Sequence, residues 1–276
     1  MASLFVDNLS VIDCAYLDAQ RGLVGESFLV DVVLDGPLDA QSMVLDFSQT
    51  KRRLKAGIDA SLDHRLLVPR QLPGLRIQED GAQLHLQLDA APGRYEHRSP
   101  ASAVCLLDAA RIDTETVAAA LQRQLQPLLP PAIRLHLNLR HEAIEGAYYH
   151  YAHGLKKHAG LCRHIAHGHR SRVELRVDGV RDRALEAQLA ARWRDIYLGT
   201  QADLLDRGDG QLHFAYQACD GAYELRLPES RVQLLDCDST VEEIAAWLHR
   251  ELAPLRAGHR LQVRAYEGWG KGAIAG

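Results

Sequence analysis

VCLLDAARIDTETVAAALQRQLQPL (residues 104–128) and VQLLDCDSTVEEIAAWLHRELAPL (residues 232–255) follow one plan. Both read Val-x-Leu-Leu-Asp, then Thr or Ser with Glu, then an amphipathic run closing on Leu-x-Pro-Leu. Asp113 or Thr114 in the first, and Ser239 or Thr240 in the second, suit helix N-caps, since a short oxygen side chain can accept from the free N–H groups of the first turn. Glu115 and Glu242 then lie where a negative charge is favoured. Each stretch leads into an alternating apolar and polar segment, RLHLNLRHE ending at Glu142 and RLQVRAYE ending at Glu267. Period-two alternation is the signature of a strand with one buried face.

Upstream the two halves remain in step. ESFLVDVVLDG (26–36) and HRSRVELRVDG (169–179) both alternate and both stop at Asp-Gly, a turn signal. Helical stretches follow at about 48–60 and about 183–198, and then a hairpin in each half, LRIQEDGAQLHLQL (75–88) and QLHFAYQACDGAYELRL (211–227). Each half therefore reads strand, strand, helix, hairpin, helix, strand, with the join near residues 141–147. Antiparallel strands with helices gathered on one face make an α+β unit. The chain of 276 residues is expected to hold two such units in tandem, at 1–143 and 144–276.

Composition narrows the function. Lys plus Arg number 32 against 36 Asp plus Glu, a net charge of −4, so no basic surplus suggests a nucleic-acid footprint. No apolar run approaches the ~20 residues of a membrane span, and MASLFVDNLS lacks the basic start and apolar stretch of a signal peptide. Five scattered cysteines with no CxxC pair argue against a disulfide framework and for a reducing, cytoplasmic compartment. Histidine is the outlier: seven of the fourteen (His141, His150, His153, His158, His164, His167 and His169) fall within 29 residues.

His167 and His169 stand two apart at the start of an alternating strand, so their side chains share a face. His153 lies on the preceding strand, where a hairpin would bring it against them. Three imidazoles with a fourth position open are the pattern of a catalytic Zn2+. The bland alternative is a hydrated, histidine-rich loop.

These residues resemble the zinc site of the 6-pyruvoyl-tetrahydropterin synthase and 6-carboxytetrahydropterin synthase family: AHGL, then Cys162, then HGH opening a strand. MVLDFSQTK (43–51) and LDHRLL (62–67) resemble that family's Asp-Phe-x-x-x-Lys and Asp-His-x-x-Leu segments, and Thr240 with Glu242 its Thr-x-Glu. Over both copies the resemblance covers most of the chain, with the hairpins near 75–89 and 211–227 as additions. It implies two tandem T-fold domains, each an antiparallel sheet with two helices on one face.

The two copies have kept different parts. Val24-Gly25-Glu26 aligns with His167-Gly168-His169, and the His153 position falls near Cys14 or Ala15, so the first copy lacks the metal ligands. It retains Asp63-His64. The second copy has ligands and Cys162, but after its first helix only Asp206-Arg207 stands near the Asp-His position. In the family the metal and cysteine come from one subunit and the Asp-His pair from a neighbour. The resemblance thus implies a composite site, with Asp63 and His64 of a first domain completing the site around His153, His167, His169 and Cys162 of a second, in the same chain or another. Independent decay of both copies is the competing reading.

In the composite site Zn2+ would act as a Lewis acid, Cys162 as the base, and His64 as proton donor with Asp63 fixing its tautomer. Glu267 or Glu142 would hold the pterin edge by a bidentate contact, Glu267 being the cleaner match. Cys162 as an inert thiol and the glutamates as solvated side chains are the plain alternatives. The expected activity is a zinc-dependent lyase reaction on a dihydroneopterin triphosphate-type substrate, giving a 6-pyruvoyl or a 6-carboxy product. The alternatives are a non-catalytic T-fold protein binding pterin or zinc, and a zinc enzyme for another heterocycle. Family members close a barrel from several subunits, so the expected assembly is a homo-oligomer, a trimer of two-domain chains.

Overall fold

The computed structural model describes residues 2–276. Two long antiparallel strands, β1 (Ala2–Asp18) and β2 (Gly22–Gly36), open the first copy, followed by helix α1 (Phe47–Ser61). A short β3 (Leu66–Pro69) precedes a meander of β4 (Leu75–Asp80), β5 (Gln83–Ala90) and β6 (Gly93–Pro100). Then come β7 (Val104–Leu107), α2 (Thr114–Leu125) and β8 (Arg134–Arg140).

The second copy repeats the order. β9 (Tyr149–His153), β10 (His167–Ser171), β11 (Val173–Val177) and the two-residue β12 (Val180–Arg181) lead to α3 (Arg183–Arg192). β13 (Ile196–Thr200) is followed by a meander of β14 (Leu204–Gly208), β15 (Gln211–Ala218) and β16 (Gly221–Pro228). β17 (Val232–Leu235), α4 (Val241–Leu252), β18 (Leu261–Tyr266) and β19 (Gly272–Ala275) complete it.

The long strands pair antiparallel, β1 with β2, β2 with β8, and β11 with β18. Short parallel strands line one side of each sheet, in the orders β7-β3-β1-β2-β8 and β10-β9-β13-β17. Helix starts follow the caps read from the chain. Asp113 accepts from Thr116 N at 2.8 Å, and Thr240, rather than Ser239, caps α4. Such caps contribute about 1 kcal/mol each. Within the first copy, Leu54, Ile58, Val117 and Leu121 of α1 and α2 pack on Ile12, Phe28 and Val30 of the sheet. In the second, Leu189, Trp193, Trp247 and Leu248 pack on Tyr149, Tyr151 and Val263.

A third core belongs to both copies: Ala15, Leu86 and Tyr95 of the first pack with Ala152, Ile165, Phe214 and Tyr223 of the second. The two meanders join there edge to edge in a six-stranded sheet, β14-β15-β16-β6-β5-β4. Pairing of Glu224 with Arg98, Leu225 with His97 and Arg226 with Glu96 places a pseudo-twofold axis beside His97 and Leu225. The cross-strand Arg98–Glu224 and Glu96–Arg226 pairs set opposite charges against each other, which favours this register over a slip. Among the described residues no helix is long and apolar enough to cross a membrane.

Three expectations need correction. The helix expected over 183–198 ends at Arg192, and a left-handed Asp195 (φ 55°) turns the chain into β13. The two hairpins are not equivalent: 75–90 is the first turn of a three-stranded meander, whereas 211–228 is the second turn of the other. A further strand, β19, follows the segment expected to be the last.

His97 on the axis is buried, and its Nδ1 has no hydrogen-bond partner. Burial, then repulsion from His164 and His85, pushes its pKa down to about 3. The unfolded chain, with an ordinary histidine, binds the proton more readily between about pH 6.5 and pH 3, so acidification through that window removes stability, by about 1.4 kcal/mol per pH unit at most. Leu225, its cross-strand partner, shows that an aliphatic side chain suits this position. His97→Leu should therefore lose less stability than wild type between pH 7 and pH 4.5, by about 2 kcal/mol in urea titrations. Equal losses in the two proteins would contradict this.

Candidate metal and catalytic site

The register of β9 and β10 builds the cluster. His153, at the end of β9, pairs directly with His167, and His169 lies two residues on, opposite Tyr151. All three histidines are fully buried. Their ring nitrogens converge: Nε2 of His153 and of His169 are 3.2 Å apart, and ligand atoms of all three lie within 4.8 Å of one another.

The opposite ring edges define the tautomers. His153 Nδ1 donates to the Ser239 carbonyl at 3.0 Å, and His167 Nδ1 donates to the His164 carbonyl at 2.9 Å. A carbonyl only accepts, so each Nδ1 carries the proton and each Nε2 offers a lone pair. Burial, with mutual repulsion among the rings, lowers the pKa of His153 and His167 well below the ordinary histidine value. His167 Nε2 is buried without a protein partner. Three buried imidazoles with converging ring nitrogens fit a tetrahedral zinc, whose ligand nitrogens stand roughly 3.3 Å apart.

The Asp-His pair of the first copy reaches this cluster within the same chain. Asp63 Oδ2 holds His64 Nδ1 at 2.7 Å, and Asp63 Oδ1 accepts from Asp13 N at 2.9 Å. His64 sits in the left-handed region (φ 54°), pinned by donation of its own N–H to the Asp13 carbonyl. Its ring centroid is 5.1 Å from that of His167. Cys162 lies in the turn Leu161–Arg163, and its sulfur is within 4.8 Å of ligand nitrogens of both His64 and His167. Burial disfavours a charged His64 ring, but the contacts with Asp63 and Cys162 outweigh it and raise its pKa to about 10.

Glu267 Oε1 lies 3.9 Å from His169 Nε2, at the mouth of the cluster, with Lys271 Nζ 3.7 Å from its other oxygen. Glu142 is elsewhere. Its carboxylate is held by Arg172 at 2.5 Å and its carbonyl by Arg170 at 2.8 Å, and the preceding residue, His141, lies 3.4 Å from Glu26 of the first copy. Of the other histidines, His164 turns its Nδ1 to the His64 carbonyl, and His150 turns its Nδ1 to the Gly25 carbonyl.

Strand register also revises the alignment between copies. Ala15 pairs with Gly25 and Leu66, as Ala152 pairs with Gly168 and Tyr197. Val24 and Glu26 therefore occupy the His167 and His169 positions, as expected, but Tyr16, not Cys14 or Ala15, occupies that of His153. The counterpart of Asp63-His64 is Arg194-Asp195, not Asp206-Arg207; the matching φ angles of His64 (54°) and Asp195 (55°) support this. Asp195 is spent in an ion pair with Arg21 at 2.5 Å. Asp13 and Lys271 carry no sequence signal for this site, each a single polar residue in an unremarkable context, and Ser239 stands out in the sequence only as a candidate helix cap.

A family model described as 6-pyruvoyl tetrahydropterin synthase matches the chain twice, over residues 15–144 and 143–275. Among solved structures, a catalytic-residue mutant of Plasmodium vivax 6-pyruvoyltetrahydropterin synthase is 22% identical, covering 50% of this chain and 90% of its own, with a TM-score of 0.42. The Plasmodium falciparum 6-pyruvoyl tetrahydropterin synthase is 22% identical over 49% of this chain and 90% of its own, with a TM-score of 0.39. No curated protein sequence matches the chain.

Proposed function

The chain belongs to the 6-pyruvoyl tetrahydropterin synthase family, and we propose that it is a zinc-dependent lyase acting on a dihydroneopterin triphosphate-type pterin. The observation that carries this reading is the meeting, inside one chain, of three buried imidazoles from the second copy with Cys162 and the Asp63–His64 pair. We place the boundary of the two domains between residues 143 and 144.

In this reading His153, His167 and His169 hold Zn2+. When bound, the ion supplies Lewis acidity toward the oxygens of the substrate side chain. Cys162, on the open side of the cluster, takes the proton from the adjacent carbon. His64 holds the proton that is returned, and Asp63 keeps its Nδ1 protonated so that Nε2 faces the thiol. Glu267 accepts two N–H bonds from the 2-amino-pyrimidinone edge and sets the side chain toward the cluster. Glu142, already paired with Arg172, contributes to the fold rather than to this pocket.

Among the described residues, the outer edge of β8 and that of β19 are unpaired in the single chain. Open edges favour strand addition. They support a homo-oligomer, which we propose to be a trimer of two-domain chains; a cytoplasmic location is the reading that goes with its five free cysteines.

The test is direct. Purified protein should carry one Zn2+ per chain, convert dihydroneopterin triphosphate to a 6-substituted tetrahydropterin, and sediment with the mass of an oligomer. Zinc binding without turnover would leave a pterin- or metal-binding protein in place of the lyase.

A further inference from the structure

Asp13 is a buried carboxylate of the first copy that touches both halves of the site. Its Oδ1 lies 3.1 Å from His169 Nδ1, although without the alignment of a full hydrogen bond. Ser27 Oγ donates to the same oxygen at 2.6 Å, and Lys271 Nζ stands 3.2 Å from Oδ2. Its backbone accepts from His64 N at 2.7 Å and donates to Asp63 at 2.9 Å. Gly268 (φ 67°) closes over this group: a Cβ there would come 2.5 Å from Asp13 Oδ1, 2.9 Å from Ser27 Oγ and 3.3 Å from His169 Nδ1.

The pseudo-twofold axis supplies a second, independent observation. By strand register, His150 is the counterpart of Asp13 and Glu26 that of His169. His150 Nδ1 lies 3.7 Å from Glu26 Oε2. The carboxylate–imidazole contact is therefore present on both sides of the axis with its ends exchanged. Pairing two like copies would set Asp13 against Glu26, or His150 against His169, and lose the complementarity at every such contact. The unlike copies have diverged as matched partners.

We propose that Asp13 is a positioning residue of the metal site, the carboxylate that orients His169 and presents its Nε2 to the ion. His153 and His167 have backbone carbonyls on their outer nitrogens, so Asp13 is the one anionic partner among the three. A carboxylate at this place fixes the tautomer and raises the ligand's basicity. The first copy, which lacks the three-histidine set at the equivalent positions, thereby helps to set the affinity of the second copy's site. This inference rests on the reading of the three histidines as a metal site.

The experiment compares the full chain with its D13N and D13A variants, using Zn2+ competition against a chromophoric chelator. The dissociation constant should rise about 10–100-fold in both variants. The visible absorption of Co2+-loaded protein should also change, a readout that a purely structural role would not move. D13N keeps the shape of the side chain, so it decides the matter if D13A does not fold; metal-free melting curves identify that case. H150A, the mirrored position, should stay within about threefold of wild type, well inside the loss expected for an outer carboxylate. If wild type binds one Zn2+ per chain and D13N binds it as tightly, Asp13 has no such role. If wild type binds no Zn2+, the metal reading itself fails, and this inference with it.

Discussion

Gly25→Ala should destabilise the protein by more than about 4 kcal/mol, an effect reserved for substitutions that no side-chain movement can relieve. Gly25 lies where β2 of the first copy crosses β9 and β10 of the second. A Cβ there would fall 1.8 Å from the Tyr151 carbonyl oxygen and 2.7 Å from His169 N. Both are backbone atoms of paired strands, Tyr151 being held between His169 and Ile196. Its φ is not in the left-handed region, so the cost is one of space alone. Real Cβ atoms essentially never approach nearer than 3.0 Å, so the copies would have to part by roughly an ångström. Gly168, the equivalent residue, meets Gly25 there: a Cβ on it would lie 2.7 Å from Gly25 Cα. The two glycines mark a second place where the copies touch across the pseudo-twofold axis.

That separation would also carry Asp13, Asp63 and His64 away from the histidine cluster. The melting temperature should fall by about 8–16 °C, given roughly 2–4 °C per kcal/mol for a protein of this size. Gly208 provides the control, since a Cβ on it meets nothing within 4 Å and its φ is unexceptional. G208A should melt like wild type. A G25A protein that does the same would show that the backbone crossing is looser than this geometry.

The duplication was legible because strands and helices of useful length repeat their period and their caps. Asp113 and Thr240 stop one element and start another by a side-chain hydrogen bond that the local sequence already encodes. The short strands β3 and β7 were not legible, because LLVP and VCLL are four-residue runs with no period to read. The hairpins were mismatched because EDG and CDG are equivalent turn signals placed at different turns of the same meander. His153, His167 and His169 were visible as a cluster on two adjacent strands. Asp13 was not, since one aspartate in VIDCAYLD acquires its meaning only when β1 is laid against β10 of the other copy. The same holds for Arg194-Asp195, which aligns with Asp63-His64 by register and by φ but has a different residue at each of the two positions.

Cys162→Ala and His64→Ala should each lower turnover by about 10²–10⁴-fold, the range for losing a positioned acid or base. Neither residue belongs to the cluster of His153, His167 and His169, so both variants should keep their zinc. The double variant should be little worse than either single one, because groups that act on one proton path fail together. Mixing then tests where the site is assembled. The His64 ring lies 5.1 Å from that of His167 within one chain, and its ligand nitrogen is within 4.8 Å of the Cys162 sulfur. A chain lacking Cys162 and a chain lacking His64 therefore each carry one broken site, and unfolding and reassembling them together should restore nothing. If His64 instead reached a neighbour's Cys162, mixed oligomers would contain some intact pairs and recover a measurable fraction of wild-type turnover. Recovery on mixing would overturn the intrachain site while leaving the three-histidine cluster untouched; no recovery, with zinc retained in both variants, would support a site completed by the two unlike copies of a single chain.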